Sequence, residues 1–183
     1  MASEFQRRKI LSVFDAMDAD GRGFLIEDDF AALAARWTTL RGLTPESAQF
    51  GQLNAIMLGW WQSLSSASRD PRRVLLDDVL TVVDLLPTMA DAVTATADAM
   101  FEAVDENADQ MISRAEYRQL IEAWNGRTTD TDETFALMDL DGDGHISREE
   151  FRQLWTQFWA GDDPTAPGTW VFGRFEHPVG SAS

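Results

Sequence analysis

The most informative stretch of this 183-residue chain is Asp139-Leu140-Asp141-Gly142-Asp143-Gly144-His145-Ile146-Ser147-Arg148-Glu149-Glu150. Carboxylates occupy positions 1, 3, 5 and 12 of the stretch, which are Asp139, Asp141, Asp143 and Glu150. Gly144 at position 6 permits a sharp turn, and Ile146 at position 8 is apolar. His145 at position 7 offers its backbone carbonyl, while Ser147 at position 9 offers a hydroxyl group or a bound water.

These oxygens match the needs of a Ca²⁺ ion. Calcium takes about seven hard oxygen ligands at roughly 2.3–2.6 Å, and the twelve-residue EF-hand loop supplies them from these positions. Because position 7 binds through its carbonyl, we expect the imidazole of His145 to face solvent. Residues 139–150 therefore predict a calcium-binding EF-hand loop.

Another loop of this kind, the third in chain order, occupies residues 105–116. Its predicted ligands are Asp105, Asn107, Asp109, the carbonyl of Met111, and Glu116. Ile112 fills the apolar position 8, but Gln110 replaces the glycine at position 6. A left-handed backbone conformation costs a residue with a side chain roughly 1–2 kcal/mol. We therefore expect calcium binding here to be weakened but not abolished.

The first loop in chain order lies at residues 18–29. Its predicted ligands are Asp18, Asp20, the carbonyl of Phe24, and Asp29. Arg22 puts a positive charge at position 5, so an ion can bind only if this side chain turns outward and water takes its place. Asp29 is shorter than Glu at position 12, which hinders bidentate binding of calcium and lets the smaller Mg²⁺ compete. We expect two to three Ca²⁺ ions per chain.

EF-hands pair across their loops, so the first loop needs a partner between residues 50 and 85. With Val74 at position 8 and Asp78 at position 12, the first ligand positions fall on Ala67, Arg69 and Pro71. These residues cannot hold a cation. We interpret the segment as a degenerate second hand that pairs with the first.

Helical apolar spacing flanks each loop and predicts about eight helices in four helix–loop–helix units. One helix is predicted to open at Thr44-Pro45-Glu46, with an N-cap and a proline in its first turn. The fold class is therefore a compact all-α protein with two EF-hand pairs. We place the N-terminal pair in residues 1–86, the C-terminal pair in residues 87–160, and an apolar tail in residues 161–183.

The tail has two opposing features. Prolines and glycines exclude a regular helix there: Pro164, Pro167, Gly168 and Gly173. Its apolar side chains are nevertheless too many for a free end: Trp170, Val171, Phe172 and Phe175. We predict that this segment folds back into an apolar cleft of the helical body.

Composition excludes several classes of function. The net charge of -16, from 31 acidic and 15 basic residues, repels nucleic acid and anionic lipid and attracts cations. The chain has no Cys and no run of roughly 20 apolar residues, and from its polar first residues we expect no secretion signal. Catalytic motifs are missing, and His177 has no partner for a catalytic pair, so we expect no enzymatic activity. We expect a cytoplasmic monomer that binds neither nucleic acid nor membrane.

The chain resembles the sarcoplasmic calcium-binding protein family, and most closely its prokaryotic calerythrin-like members. The resemblance rests on the silent second loop, on Asp29 at position 12, and on Pro167-Gly168-Thr169-Trp170-Val171-Phe172-Gly173. It implies a compact four-hand protein that buffers or transports calcium through its first, third and fourth loops. Arg22 and Gln110 depart from the family pattern.

Three functions remain open. A calcium buffer would use the tail to cover its apolar cleft. A sensor would instead expose a groove on calcium binding and grip a helix of a target protein. A small-ligand carrier or photoprotein would need polar groups that orient a ligand, and the single Tyr and two His supply few.

Overall fold

The structure, a computed structural model, describes residues 1–174. Phe175, His177 and the rest of the predicted tail beyond residue 174 lie outside this part. The helices are α1 (Glu4–Met17), α2 (Glu27–Leu40), α3 (Ala48–Ala67), α4 (Leu76–Leu85), α5 (Ala90–Val104), α6 (Arg114–Asn125), α7 (Asp132–Met138) and α8 (Arg148–Trp159). Short 3-10 turns follow α4 and α8, at Leu86–Thr88 and Pro167–Trp170. The predicted all-α fold is confirmed.

The loops meet in pairs through their position 8 residues. Strands β1 (Met111–Ile112) and β2 (Ile146–Ser147) run antiparallel, with Ile112 opposite Ile146. Leu25 and Val74 form the corresponding bridge in the N-terminal half, with both N–H···O distances at 2.9 Å. All four of these apolar side chains are buried, so each bridge joins two loops to the core beneath them.

The last residues of the loops at residues 105–116 and 139–150 also cap the helices that follow. The Ser113 and Ser147 hydroxyls accept hydrogen bonds from the backbone N–H groups of Glu116 and Glu150, both at 3.3 Å. The glutamate carboxylates accept the serine N–H groups in return, at 2.8 and 2.7 Å. This is a capping box, which satisfies N–H groups that a helix start leaves free. Position 12 of each loop is therefore held by the helix that follows it.

Helix α3 begins later than the sequence predicts. Ser47, rather than Thr44, is its N-cap, because the Ser47 hydroxyl accepts the N–H of Phe50 at 3.1 Å. Thr44 belongs to a turn in which its carbonyl accepts the N–H of Ser47 at 3.0 Å. A second capping residue three positions downstream therefore replaces the predicted one.

Long side chains tie the two halves together. Arg36 in α2 donates to the carbonyls of Ala123 and Trp124 at the end of α6, and Arg41, which follows α2, donates to the carbonyl of Val104 at 2.9 Å. Because the last carbonyls of a helix lack partners within it, arginines at these ends satisfy groups that would otherwise be unpaired.

Helix α1 closes the end of α8 in the same way. Gln6 donates to the carbonyl of Trp159 at 3.0 Å, and the ammonium of Lys9 donates to the carbonyl of Gly161 at 2.8 Å. Lys9 is fully buried. Burial lowers its pKa to about 8, although Asp162 acts in the opposite direction.

The C-terminal segment folds back on the body, as predicted. Phe172 packs among four aromatic rings at centroid distances of 4.5 to 5.7 Å, those of Trp124, Phe158, Trp155 and Trp159. The buried hydroxyl of Tyr117 donates to the carbonyls of Trp170 and Val171, at 3.1 and 3.2 Å. Gly168 is required, because a Cβ there would lie 2.3 Å from the carbonyl oxygen of Leu154.

Within residues 1–174, no single helix is long and apolar enough to cross a membrane. By length and composition alone, Leu76–Thr88 and Ala90–Val104 reach that threshold as a pair bent by 108°.

Candidate calcium-binding loops

The loop at residues 139–150 gathers its carboxylates around one point. Asp139, Asp141 and Asp143 each offer an oxygen, and these oxygens lie within 4.8 Å of one another. Asp139 Oδ2 accepts the N–H of Gly144 at 2.8 Å, and its Oδ1 accepts that of Asp143 at 3.1 Å. Gly144 has a φ of +88°, a conformation that favours glycine. The chain thus wraps around the first ligand.

Glu150 closes this loop from the other end. Its Oε1 accepts the N–H groups of Leu140 and Asp141 at 3.0 and 3.2 Å. The exposed His145 donates its backbone N–H to Asp143 Oδ1 at 2.9 Å. Three of the predicted ligands, Asp139, Asp141 and Asp143, therefore form one cluster of oxygens, and hydrogen bonds hold Glu150 and His145 in the same loop.

The charges in this ring repel one another. A hydrogen bond from the N–H of Asp143 lowers the pKa of Asp141, but burial and repulsion from Asp143, Glu150 and Asp139 outweigh it, and the pKa is raised. A bound divalent cation would remove that repulsion. Hard carboxylate and carbonyl oxygens in such a ring fit Ca²⁺.

The loop at residues 105–116 repeats the same frame. Asp105 accepts the N–H groups of Asp109 and Gln110 at 3.2 and 3.0 Å. Glu116 accepts the N–H of Glu106 at 2.9 Å through the oxygen that corresponds to Glu150 Oε1. The carboxylate of Asp109 accepts the N–H of Met111 at 2.9 Å. Hydrogen bonds to the backbone thus hold Asp105, Asp109 and Glu116 in this loop as they hold their counterparts in the loop at residues 139–150.

Two residues in the loop at residues 105–116 have a strained backbone. Gln110 has a φ of +68° at position 6, and Ala108 has a φ of +58° at position 4. The loop at residues 139–150 has glycines there, Gly142 and Gly144. Sequence reasoning found Gln110 but missed Ala108, although a glycine at position 4 of both other loops was the signal. Each such residue costs roughly 1–2 kcal/mol.

The loop at residues 18–29 shares the frame as far as position 6. Asp18 Oδ1 accepts the N–H of Arg22 at 3.0 Å, and its Oδ2 accepts that of Gly23 at 2.7 Å. Asp29 accepts the N–H of Ile26 at 2.8 Å, as the glutamates at position 12 do in the other two loops. The backbone is therefore folded as in the loops at residues 105–116 and 139–150.

The side chain at position 5 distinguishes this loop. Arg22 turns inward, and its Nη2 lies 2.6 and 2.7 Å from the two carboxylate oxygens of Asp29. Its Nε lies 3.6 Å from Asp18 and 4.0 Å from Asp20. Its guanidinium carbon lies 5.4 Å from the centre of the Phe24 ring. Arg22 therefore does not take the outward orientation that a metal ion requires. Its guanidinium group lies beside the predicted ligands Asp18, Asp20 and Asp29 and near the ring of Phe24, whose carbonyl was the fourth predicted ligand.

The guanidinium changes the acidity of this loop. Burial alone raises the pKa of Asp18, but hydrogen bonds from Gly23 and Arg22 and the Arg22 charge outweigh it, and the pKa is lowered. The direction is opposite to that of Asp141. The repulsion found in the loop at residues 139–150 is therefore compensated here by the protein itself.

An aspartate of the second hand, Asp70, also pairs with arginine. Asp70 lies 3.2 Å from Arg72 Nε and 3.3 Å from Arg73 Nε. Asp78 accepts the N–H of Leu75 at 3.0 Å, so position 12 retains its role at the helix start. Sequence reasoning missed Asp70, because the alignment places it between the ligand positions.

Known proteins show the same features. The EF-hand domain pair matches residues 95–156 of the chain. This segment includes the two complete loops, at residues 105–116 and 139–150, which have a ligand residue at each of positions 1, 3, 5 and 12. Residues 95–156 are an EF-hand domain pair. The two loops predicted to bind calcium therefore lie inside the matched pair. Comparison with curated protein sequences finds no match.

Solved structures share the fold of most of this chain. A Streptomyces coelicolor calcium-binding protein matches with a TM-score of 0.68 and 22% identity, over 86% of this chain and 99% of that one. The coelenterazine-binding protein of Renilla muelleri matches with a TM-score of 0.70 and 20% identity, over 94% and 100%. The sarcoplasmic calcium-binding protein of amphioxus matches with a TM-score of 0.67 and 15% identity, over 96% and 100%. The predicted resemblance is confirmed as a likeness of fold.

Proposed function

We propose that this EF-hand protein is a cytoplasmic, monomeric calcium buffer. The observation that carries the proposal is the covered apolar face of the C-terminal half. Phe172 lies among Trp124, Phe158 and two further aromatic rings, where an open sensor would present its groove. A face already filled by the chain's own residues has no room for a target helix.

The contacts between the two halves support the same function. A sensor opens by moving helices relative to each other. Here Arg36 in α2 and Arg41 just after it bind the ends of α6 and α5, and Gln6 and Lys9 join α1 to the end of α8. Opening would break these hydrogen bonds and leave buried carbonyls unpaired, at a cost of roughly 1–3 kcal/mol each. The net charge of -16 supports a protein that binds calcium rather than nucleic acid or a membrane.

A second candidate, a calcium sensor, is favoured by one feature of the surface. A cleft of about 240 Å³ lies between α3, α4, α5 and α8, and the apolar residues Val82, Leu86 and Met89 line it. Met89 is 45% exposed. The similar Streptomyces coelicolor protein is described as acting in calcium-mediated regulation. In the sensor hypothesis this cleft would widen when calcium binds.

A small-ligand carrier is less well supported. Ligand sites usually have volumes of roughly 300–1,000 Å³, and the cleft is smaller at about 240 Å³. The Renilla muelleri protein of similar fold binds coelenterazine. The polar side chains that line the cleft, such as Ser63 and Thr96, are too few to orient such a molecule.

A dye titration distinguishes buffer from sensor. Fluorescence of the apolar dye ANS is measured while calcium is added to metal-free protein. A buffer closes a loose metal-free state, so we expect the signal to fall. The control is the double variant Glu116→Gln/Glu150→Gln, which lacks both position 12 carboxylates and should give a much smaller change. A rise in wild-type signal would refute the buffer and support the sensor.

A further inference from the structure

The residue at position 5 behaves differently in the first loop than in the other two. In the complete loops, Asp109 and Asp143 keep their carboxylates inside the loop, where each accepts the N–H of position 7 at 2.9 Å. Arg22 occupies the same place with the opposite charge. Its side chain crosses the loop and reaches the position 12 carboxylate of Asp29.

The guanidinium occupies the centre of the ligand set. It donates to both oxygens of Asp29, the pair that a calcium ion would bind at position 12. Its side chain is only 25% exposed, and those of Asp18 and Asp29 are 4% and 13% exposed. Arginine stays charged at any ordinary pH, and its planar group pairs well with carboxylates. The first loop therefore contains a permanent cation that is covalently part of the chain.

We propose that the Arg22 guanidinium replaces the metal ion of the first loop, so that the N-terminal pair keeps its metal-bound form without Ca²⁺ or Mg²⁺. An ion could enter only by displacing the guanidinium from Asp29, Asp18 and Asp20. The expelled charge would then remain tethered beside a divalent cation of the same sign, which opposes entry.

The neighbouring loop is consistent with this assignment. Asp70 in the second hand is paired with Arg72 and Arg73. The backbone bridge between Leu25 and Val74 thus joins two loops that each contain an aspartate paired with arginine. The bridge between Ile112 and Ile146 joins two loops that lack this internal charge at position 5. One half of the protein is therefore independent of metal, and the other half depends on it.

The first test counts bound ions. The double variant Arg22→Asp/Asp29→Glu supplies carboxylates at positions 5 and 12, and equilibrium dialysis with Ca²⁺ should show one more ion per chain than wild type. The control Arg127→Asp makes the same change of charge at an exposed position and should add none. Either of two results would overturn the proposal. One is an unchanged ion count in a folded double variant, and the other is a count in Asp18→Asn that is one ion lower than in wild type.

This test is separate from that of the buffer function, on which the proposal does not rest. The proposal concerns the gain of one ion at the first loop, whereas a buffer also requires both complete loops to be filled in wild type. A wild-type count below two, with the variant still gaining one ion, would weaken the proposed function and leave the role of Arg22 supported.

A second test uses wild-type protein and does not depend on variant folding. Amide hydrogen exchange is measured in EDTA and again with excess calcium. The N–H of Gly23, which donates to Asp18 at 2.7 Å, should keep its protection in EDTA. The N–H of Gly144 donates to Asp139 at 2.8 Å, and its protection against exchange should fall in EDTA by on the order of tenfold or more. Equal loss of protection at both glycines would overturn the proposal.

Discussion

Replacing Phe172 by Ala should remove the aromatic contact that holds the C-terminal segment in place. Complete burial makes a Phe→Ala change cost roughly 3–5 kcal/mol. Phe172 is only partly buried, but four aromatic rings surround it, the nearest being Trp124 at 4.5 Å and Phe158 at 4.8 Å. We therefore expect a loss of about 3 kcal/mol in the free energy of unfolding. For a chain of this length that loss lowers Tm by roughly 6–12 °C.

The assay is urea unfolding in excess calcium, followed by tryptophan fluorescence, with ANS binding measured before unfolding. The variant should bind more dye than wild type in the calcium-loaded state, because the pocket around Trp124 and Trp155 is uncovered. Leu85→Ala is the matched control, since this α4 side chain is 54% exposed and its loss should cost less than about 1 kcal/mol. A Phe172→Ala loss as small as that of the control, with unchanged dye binding, would show that the segment does not cover the core.

Two further predictions concern single residues. Gln110→Gly should raise the free energy of unfolding of the calcium-loaded protein by about 1 kcal/mol in urea titrations, because it relieves a φ of +68°; Arg127→Gly, at an exposed turn, should not. Lys9 has a pKa of about 8 when folded and an ordinary value of 10.5. The unfolded chain therefore binds more protons between these values. Wild-type stability should rise relative to Lys9→Met from pH 8 to 10.5, by up to about 3 kcal/mol, and a difference independent of pH would contradict the lowered pKa.

The EF-hand loops could be predicted because their ligands lie within twelve consecutive residues. Spacing along the chain then determines which oxygens can meet, and the structure places Asp139, Asp141 and Asp143 within 4.8 Å of one another. Helical periodicity likewise predicted the all-α fold, since it depends only on neighbours three and four positions apart. The apolar content of residues 161–183 predicted that the chain would fold back there, although not which side chain would anchor it.

Tertiary structure decided what depends on side-chain direction and on distant partners. The sequence left Arg22 free to turn outward, and only the positions of Asp18 and Asp29 around it show that it turns inward. Alanine does not by itself indicate a positive φ, so the only hint of strain at Ala108 in the sequence is the glycine at position 4 of the other two loops. Lys9 looks like an ordinary surface residue until α1 packs on the end of α8, more than a hundred residues away. A long side chain has many rotamers, and the surrounding fold selects among them by charge and burial.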